Sequence, residues 1–301
     1  MDVLGVREDG YHEVATVMQQ IALSDDLDFE WQEAGDTGIG GKDESSRKLN
    51  IRLSTNRPYL PNDERNLAYK AALLMEKYAE ERGCPRYGNL SIRIYKRIPV
   101  AAGLAGGSGN GAAVMIALNR LWELGLNTEE LCRLGAELGS DVPFMILTQN
   151  SRYTCALGTG RGEKLRPLSR ELDMSFLLVK PRFGVSTGEV YKGIDEAEGL
   201  THPDNDALIE GILEGDKDKT VRNMGNMLEA YTLKAYPEVN ELKKLVSETE
   251  GVKFAMMSGS GPTVIGFYDK LGDAKKAAGK FRELGYESFY AGNMRRVRRK
   301  R

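Results

Sequence analysis

Between residues 99 and 111 the chain has almost no side chain to pack with. Pro99, Val100, Ala101, Ala102, Gly103, Leu104, Ala105, Gly106, Gly107, Ser108, Gly109, Asn110 and Gly111 follow one another and run straight into an apolar stretch, 112–124, that reads as a helix. Such a segment cannot build a core of its own. Small residues let a backbone come close to a ligand, and the free amides and dipole at the start of the following helix favour an anion there. Phosphate is the natural guest, although a run of glycines also serves as a plain tight turn. Of two familiar phosphate motifs, one is excluded and the other disfavoured. A Walker A loop needs Lys-Ser or Lys-Thr after its last glycine, and Ala112 and Ala113 stand there. A dinucleotide fingerprint can be written through Gly107, Gly109 and Ala112, but its strand should run directly into the first glycine, and residues 99–106 intervene.

With 301 residues, 41% hydrophobic and 29% charged, the chain has material for two cores of ordinary domain size. Its 42 Lys and Arg nearly cancel its 44 Asp and Glu, which argues against a broad nucleic-acid face, so the expected partner is a small molecule. Oligomeric state leaves no sign. The basic run Arg295–Arg301 is expected to be a solvated terminus, with contact to RNA, a membrane or an acidic neighbour as the alternatives. Cys84, Cys132 and Cys155 are far apart and odd in number, so neither a disulfide framework nor a zinc site is expected. No apolar run approaches the roughly 18 residues of a membrane span, and the N-terminus lacks a signal-peptide pattern. A cytoplasmic protein without membrane contact is expected.

The fold class expected is α+β, because strands and helices are interspersed without regular βαβ alternation. Strands are expected at 14–21, 27–31, 48–53 and 90–97. A helix capped by Asn66 carries Leu67, Ala71, Leu74 and Tyr78 on one face, and another, capped by Asn127 with Glu130 three residues on, stops at Gly139. In the second half the expectations are a buried strand at 175–180, a helix capped by Ser186 or Thr187, and helices at 207–213 and 221–233. One more helix follows Pro237. Strand, glycine turn and strand then run over 252–268, with a helix at 274–284 and a strand at 286–290 closing the chain. The domain boundary is placed in the glycine-rich stretch 158–162, giving an N-terminal domain 1–162 and a C-terminal domain 163–301.

Pro99, Gly103, Leu104, Gly106, Gly107 and Ser108 match a Pro-x-x-x-Gly-Leu-x-Gly-Gly-Ser pattern, and the segment resembles the second signature of the GHMP kinases. The resemblance implies a two-domain fold with its active site in the interdomain cleft and a loop, Pro99 to Gly109, that wraps the phosphates of ATP. It puts the Ser108 hydroxyl near the phosphates and magnesium; the family usually continues Ser-Asn or Ser-Asp where this chain has Gly109 and Asn110. Gly139-Ser140-Asp141-Val142-Pro143-Phe144 resembles the segment bearing the catalytic aspartate. A carboxylate there can act as general base for an alcohol, or can cap a helix whose first turn holds Pro143. Residues 257–263, with Gly259, Ser260 and Gly261, resemble the third signature, which closes over phosphates and substrate.

Residues 2–13, with Tyr11 and His12, resemble the first segment of the diphosphocytidyl-methylerythritol kinases, and 181–191 the segment supplying a second ring, Tyr191. The resemblance implies that Tyr11, His12 and Tyr191 grip cytosine, and that the γ-phosphoryl of Mg-ATP passes to the 2-hydroxyl of 4-diphosphocytidyl-2-C-methyl-D-erythritol in non-mevalonate isoprenoid biosynthesis. The rivals are a homoserine or mevalonate type of GHMP kinase, whose substrates carry no base, and a nucleotide-binding homologue that does little chemistry. No protein-held metal is expected, since the only histidine besides His12 is His202 and no cluster of ligands surrounds it, so magnesium should arrive with ATP. In the resembled family a strand with a Lys and an Asn precedes the Asp-Val-Leu-Gly segment, whereas here Met1 directly precedes Asp2. The expectation is slow turnover and a start internal to a longer reading frame.

Overall fold

The computed structural model describes residues 1–34 and 48–294; the basic run Arg295–Arg301 lies outside them. The fold is α+β, as expected, and divides into two compact units. One comprises Ser24–Ile98 and Ala105–Ser151, and the other Met1–Leu23, Pro99–Leu104 and Arg152–Arg301.

The smaller unit is a three-stranded sheet covered by helices. Strand β5 (Gly88–Tyr95) is central, antiparallel to β3 (Asp26–Glu33) and parallel to β4 (Leu49–Thr55). Its alternating pattern is the cause of its place: Leu90, Ile92 and Ile94 point inward and are at most 1% exposed, while the residues between them reach solvent. Helix α1 (Leu67–Glu81) lies on that face through Ala68, Ala71, Ala72, Met75 and Ala79. Leu74 and Tyr78, expected on the core face, flank this stripe and are partly buried. The Asn66 cap is present, its Oδ1 accepting from the Ala68 amide at 3.0 Å.

Helix α2 (Gly106–Leu121) begins six residues before the stretch that reads as helical. Glycine disfavours helix by about 1 kcal/mol, so local sequence cannot start it there; packing of its first turns against Leu67, Lys96 and Ile98 does. Helix α3 (Thr128–Gly135) carries the expected capping box, with the Glu130 amide on Asn127 Oδ1 at 3.0 Å and the Asn127 amide on Glu130 Oε2 at 2.9 Å. It ends at Gly135 rather than Gly139, and a turn leads into α4 (Val142–Asn150).

The larger unit holds two antiparallel sheets. The first has the order β1 (Asp2–Val6), β2 (His12–Gln19), β6 (Cys155–Thr159) and β7 (Lys164–Pro167). The stretch 158–162 covers the end of β6 and most of its tight connection to β7, so residues on both sides of it lie in one compact unit. The second sheet has the order β11 (Glu287–Ala291), β8 (Ser175–Lys180), β10 (Val264–Tyr268) and β9 (Val252–Met257). All of β8 is buried, which is why it reads as a continuous apolar run. Met257 pairs with Val264, so residues 258–263 close the β9–β10 hairpin.

Helices α5 (Thr187–Asp195), α6 (Asn205–Glu214), α7 (Lys217–Arg222), α8 (Glu229–Ala235), α9 (Pro237–Ser247) and α10 (Leu271–Glu283) complete the unit. The single helix expected over 221–233 is two, because the chain leaves the helical path at 223–228 and Asn226 is drawn onto the β9–β10 hairpin. No helix among the described residues is long and apolar enough to cross a membrane. Replacing Asn127 with Ala is expected to lower stability by about 1 kcal/mol and Asn127→Gly by only a few tenths, measured by urea unfolding, since glycine is itself a tolerated cap.

Candidate active site

In the smaller unit the residues of interest gather at two helix starts. Ala105 occupies the N-cap of α2 with φ 49° and offers no side-chain cap, and the first turn holds no acidic residue. The Gly109 amide bonds back to the Ala105 carbonyl at 2.9 Å, whereas the amides of the first turn precede any helical acceptor. That leaves an anion-receiving end on a helix of 16 residues. Gln149 Nε2, from α4, donates to the Gly109 carbonyl at 3.1 Å and ties the second turn of α2 to that helix.

Asp141 holds the N-cap position of α4, with a proline in the first turn, yet its side chain makes no cap bond. Of the two readings open in the sequence, the cap is therefore met in position and not in bonding. The residue keeps an exposed surface, while the protein around it desolvates the carboxyl and raises its pKa above the ordinary 3.8. The carboxylate is open to a small ligand, and desolvation by the protein around it raises its pKa. Under the α2 turn, Lys96 and Asp25 form a buried ion pair that the sequence reading does not single out.

In the larger unit, the loop 99–104 and the hairpin turn 258–262 lie against one another. Ser258 Oγ donates to the Gly103 carbonyl at 2.8 Å. Gly103 has φ +67°, and a Cβ on it would stand 2.5 Å from the Ser258 carbonyl oxygen and 2.9 Å from that of Gly261. Ala101 and Ala105 on either side also have positive φ, 50° and 49°, a conformation costing an L-residue about 1–2 kcal/mol.

The turn has its own supports, which sequence reasoning missed. Asn226, 6% exposed, donates through Nδ2 to the carbonyls of Met257 at 3.0 Å and Gly259 at 2.7 Å. Glu229 Oε1 accepts from the Met257 amide at 2.7 Å, and its Oε2 from Lys243 Nζ at 2.7 Å. Ser260 Oγ and Thr187 Oγ1, at the start of α5, are 2.9 Å apart. The only local signal for Asn226 is the Gly225-Asn226 pair interrupting an apolar helical pattern.

Helix α5 also places the aromatic residues. Tyr191 lies 4.8 Å from the His12 ring, tilted 34°, and His12 Nε2 is 2.8 Å from Asp195 Oδ1. Tyr11 is 55% exposed and carries the Arg161 guanidinium over its ring at 4.9 Å. Its turn is fixed by Arg7, bonded to Asp9 and Glu13, and by the Tyr11 amide on Asp9 Oδ1 at 3.1 Å. Rings 4.8 Å apart are in contact with each other, and a base between them would need about 7 Å, twice a van der Waals spacing. His12 and Tyr191 are thus one packed platform and not the two walls of a slot.

The family pattern described as GHMP kinases N terminal domain matches residues 66–149, and that described as GHMP kinases C terminal matches 208–287. A Bacillus pumilus protein named 4-diphosphocytidyl-2-C-methyl-D-erythritol kinase is 45% identical over 88% of this chain and 83% of its own length. A Clostridium botulinum protein of the same name is 41% identical over 96% of this chain and 94% of its own. A crystal structure of 4-(cytidine 5'-diphospho)-2C-methyl-D-erythritol kinase superposes with a TM-score of 0.74 at 30% identity, covering 97% of this chain and 95% of that one. A homoserine kinase from Cytophaga hutchinsonii, at 16% identity and a TM-score of 0.66, shares the fold.

Two outcomes test this geometry. Gly103→Ala must push its methyl into backbone and is expected to cost about 1–3 kcal/mol, against about 0.5–1.5 kcal/mol for Ser258→Ala, which loses one hydrogen bond; chemical denaturation separates them. Asp141→Asn is expected to raise the melting temperature of the free protein at neutral pH. The carboxyl's folded pKa lies above its unfolded value, so ionisation costs stability at pH above the folded pKa. That cost vanishes below the unfolded value near 3.8, so the variant's advantage should fade as the pH falls toward it.

Proposed function

We propose that this chain, which belongs to the GHMP kinases and within them to the 4-diphosphocytidyl-2-C-methyl-D-erythritol kinases, transfers the γ-phosphoryl group of ATP to the 2-hydroxyl of 4-diphosphocytidyl-2-C-methyl-D-erythritol. The products are ADP and the 2-phosphate, in non-mevalonate isoprenoid precursor synthesis. The structural observation that carries the reading is the start of α2: a long helix without side-chain cap or first-turn carboxylate, preceded in sequence by a loop of small residues. These residues fit the phosphates of a nucleotide. We assign them to Pro99, Val100, Ala101, Ala102, Gly103, Leu104, Ala105, Gly106, Gly107, Ser108 and Gly109, with amides and the helix dipole stabilising the charge that moves in transfer.

Asp141 takes the role of base. The substrate oxygen forms a bond to the γ-phosphorus, the bond to the β–γ bridging oxygen breaks, and the hydroxyl proton passes to the Asp141 carboxylate. A raised pKa suits that task, because proton transfer is most effective when the base titrates nearer the working pH. Magnesium arrives bound to ATP and offsets phosphate charge. Gly259, Ser260 and Gly261 form the turn we assign to substrate. The cytosine rests on aromatic faces supplied by the exposed Tyr11 and by the partly buried His12–Tyr191 platform, with no base inserted between those last two rings. The division at residue 162 is likewise our proposal for the two family patterns, which fall on either side of it, and differs from the division into compact units, where the β6–β7 hairpin keeps both sides together.

Steady-state assay of ATP-dependent phosphorylation tests the reading, with CMP as competitor against the diphosphocytidyl substrate. Turnover of homoserine or mevalonate in its place, or indifference to CMP, would overturn the substrate assignment. Asp141→Asn is expected to reduce kcat by about 10² to 10⁴ with ATP binding retained. In the parent enzyme the acid limb of kcat/KM should lie above pH 3.8. Turnover of the variant near the parent rate would remove Asp141 from the chemistry.

A further inference from the structure

Directly beneath the first turn of α2 lies a group of buried polar side chains. Lys96 and Asp25 are ion-paired, with side chains 5% and 1% exposed. Asp25 Oδ1 accepts from the amides of Arg97 at 2.7 Å and Ile98 at 2.8 Å. With the Asn110 amide oriented to satisfy its surroundings, its Nδ2 donates to Asp25 Oδ2 at 2.9 Å and to the Gly106 carbonyl at 3.3 Å. The backbone of Lys96 is held as well, its amide donating to Asn56 Oδ1 at 2.7 Å. A Cβ on Gly106 would stand 2.7 Å from Lys96 Nζ and 2.9 Å from Ile98 Cγ2, so the ammonium lies against the first helical residue. Among the described residues its hydrogen-bond partner is Asp25, and an ammonium has three donors.

Stability alone is a poor reason for this arrangement. Burying an ion pair costs the desolvation of both charges, and an apolar pair of similar volume is often as stable or more so. Here desolvation lowers the Lys96 pKa, Asp25 opposes that shift and nearby Arg57 adds to it. The pair is also oriented. Its carboxylate is spent on two strand-end amides and Asn110, while its cation faces a helix N-terminus that already carries positive potential. Two positive sources set against one another are unfavourable until an anion arrives.

We propose that Lys96, held by Asp25 and Asn110, is the positioning residue of the phosphate turn: it fixes the first turn of α2 and lays fixed positive charge beneath it, so that affinity for the phosphates depends on it while affinity for the nucleoside does not. The proposal rests on the reading of this turn as the ATP phosphate site.

Calorimetric titration of the full chain with ATP and with adenosine tests it, using wild type and Lys96→Met. Loss of a charge-assisted interaction predicts ATP binding weaker by at least about tenfold, with adenosine affinity within about twofold of the parent. A lysine that only supports the fold would lower the melting temperature and leave the ratio of the two affinities unchanged; that result overturns the proposal. Because Lys96→Met strands a buried carboxylate, the double variant Asp25→Asn/Lys96→Met, neutral and of similar volume, serves as the second measurement. Retained ATP affinity in the folded double variant sinks the idea, and the same phosphate-specific loss supports it. A wild-type protein that binds adenosine but gains nothing from the phosphates would instead remove the phosphate-site reading, and this proposal with it.

Discussion

The contact on which the candidate residues of the larger unit depend is the seating of Gly103 against the carbonyls of Ser258 and Gly261. It exists because residue 103 has no Cβ and takes φ +67°, and Ser258 Oγ then locks the Gly103 carbonyl in place. From there the supports run outward through ordinary hydrogen bonds. Asn226 and Glu229 hold the hairpin turn from below. Ser260 meets Thr187 at the start of α5, and the far end of the same helix places Tyr191 and Asp195 on His12. A loop that looks featureless in composition is thus the fixed point to which the aromatic residues are referred, through one turn and one helix.

The smaller unit solves an electrostatic problem instead. It carries an uncapped helix N-terminus and a carboxyl whose pKa is raised. The first is achieved by omission, since Ala105 gives α2 no cap and the opening turn bears no acid. A buried cation backs the same turn, with its countercharge turned toward backbone amides. The second is achieved by desolvation, which raises the Asp141 pKa without a hydrogen bond to hold the charge. Both devices leave polar groups less satisfied than folding alone would favour, which is the pattern expected where binding and chemistry take place.

The aromatic residues show what residue types leave open about an arrangement. Tyr11, His12 and Tyr191 all lie in the larger unit, yet His12 and Tyr191 pack on each other, and Tyr11 takes Arg161 on one face. Their residue types indicate π-faces for a base. They do not say which faces are already occupied, because Arg161 is far from Tyr11 in sequence and Tyr191 far from His12, and they arrive only with the β6–β7 hairpin and α5.

What the sequence determined by itself is what neighbours along the chain decide. The alternation of β5, the caps at Asn66 and Asn127, the strand–turn–strand of 252–268 and the small-residue loop each rest on side-chain period or on one side chain reaching an amide two or three residues away. The tertiary structure alone decided the rest. Glycines start α2 at residue 106 only because Leu67, Lys96 and Ile98 pack there. The helical pattern over 221–233 breaks because Asn226 finds better acceptors 31 and 33 residues away. Asp25 meets Lys96 across 71 residues, and Asp195 meets His12 across 183. Contacts of that span leave no periodicity to read, since their energy depends on where the intervening chain has folded.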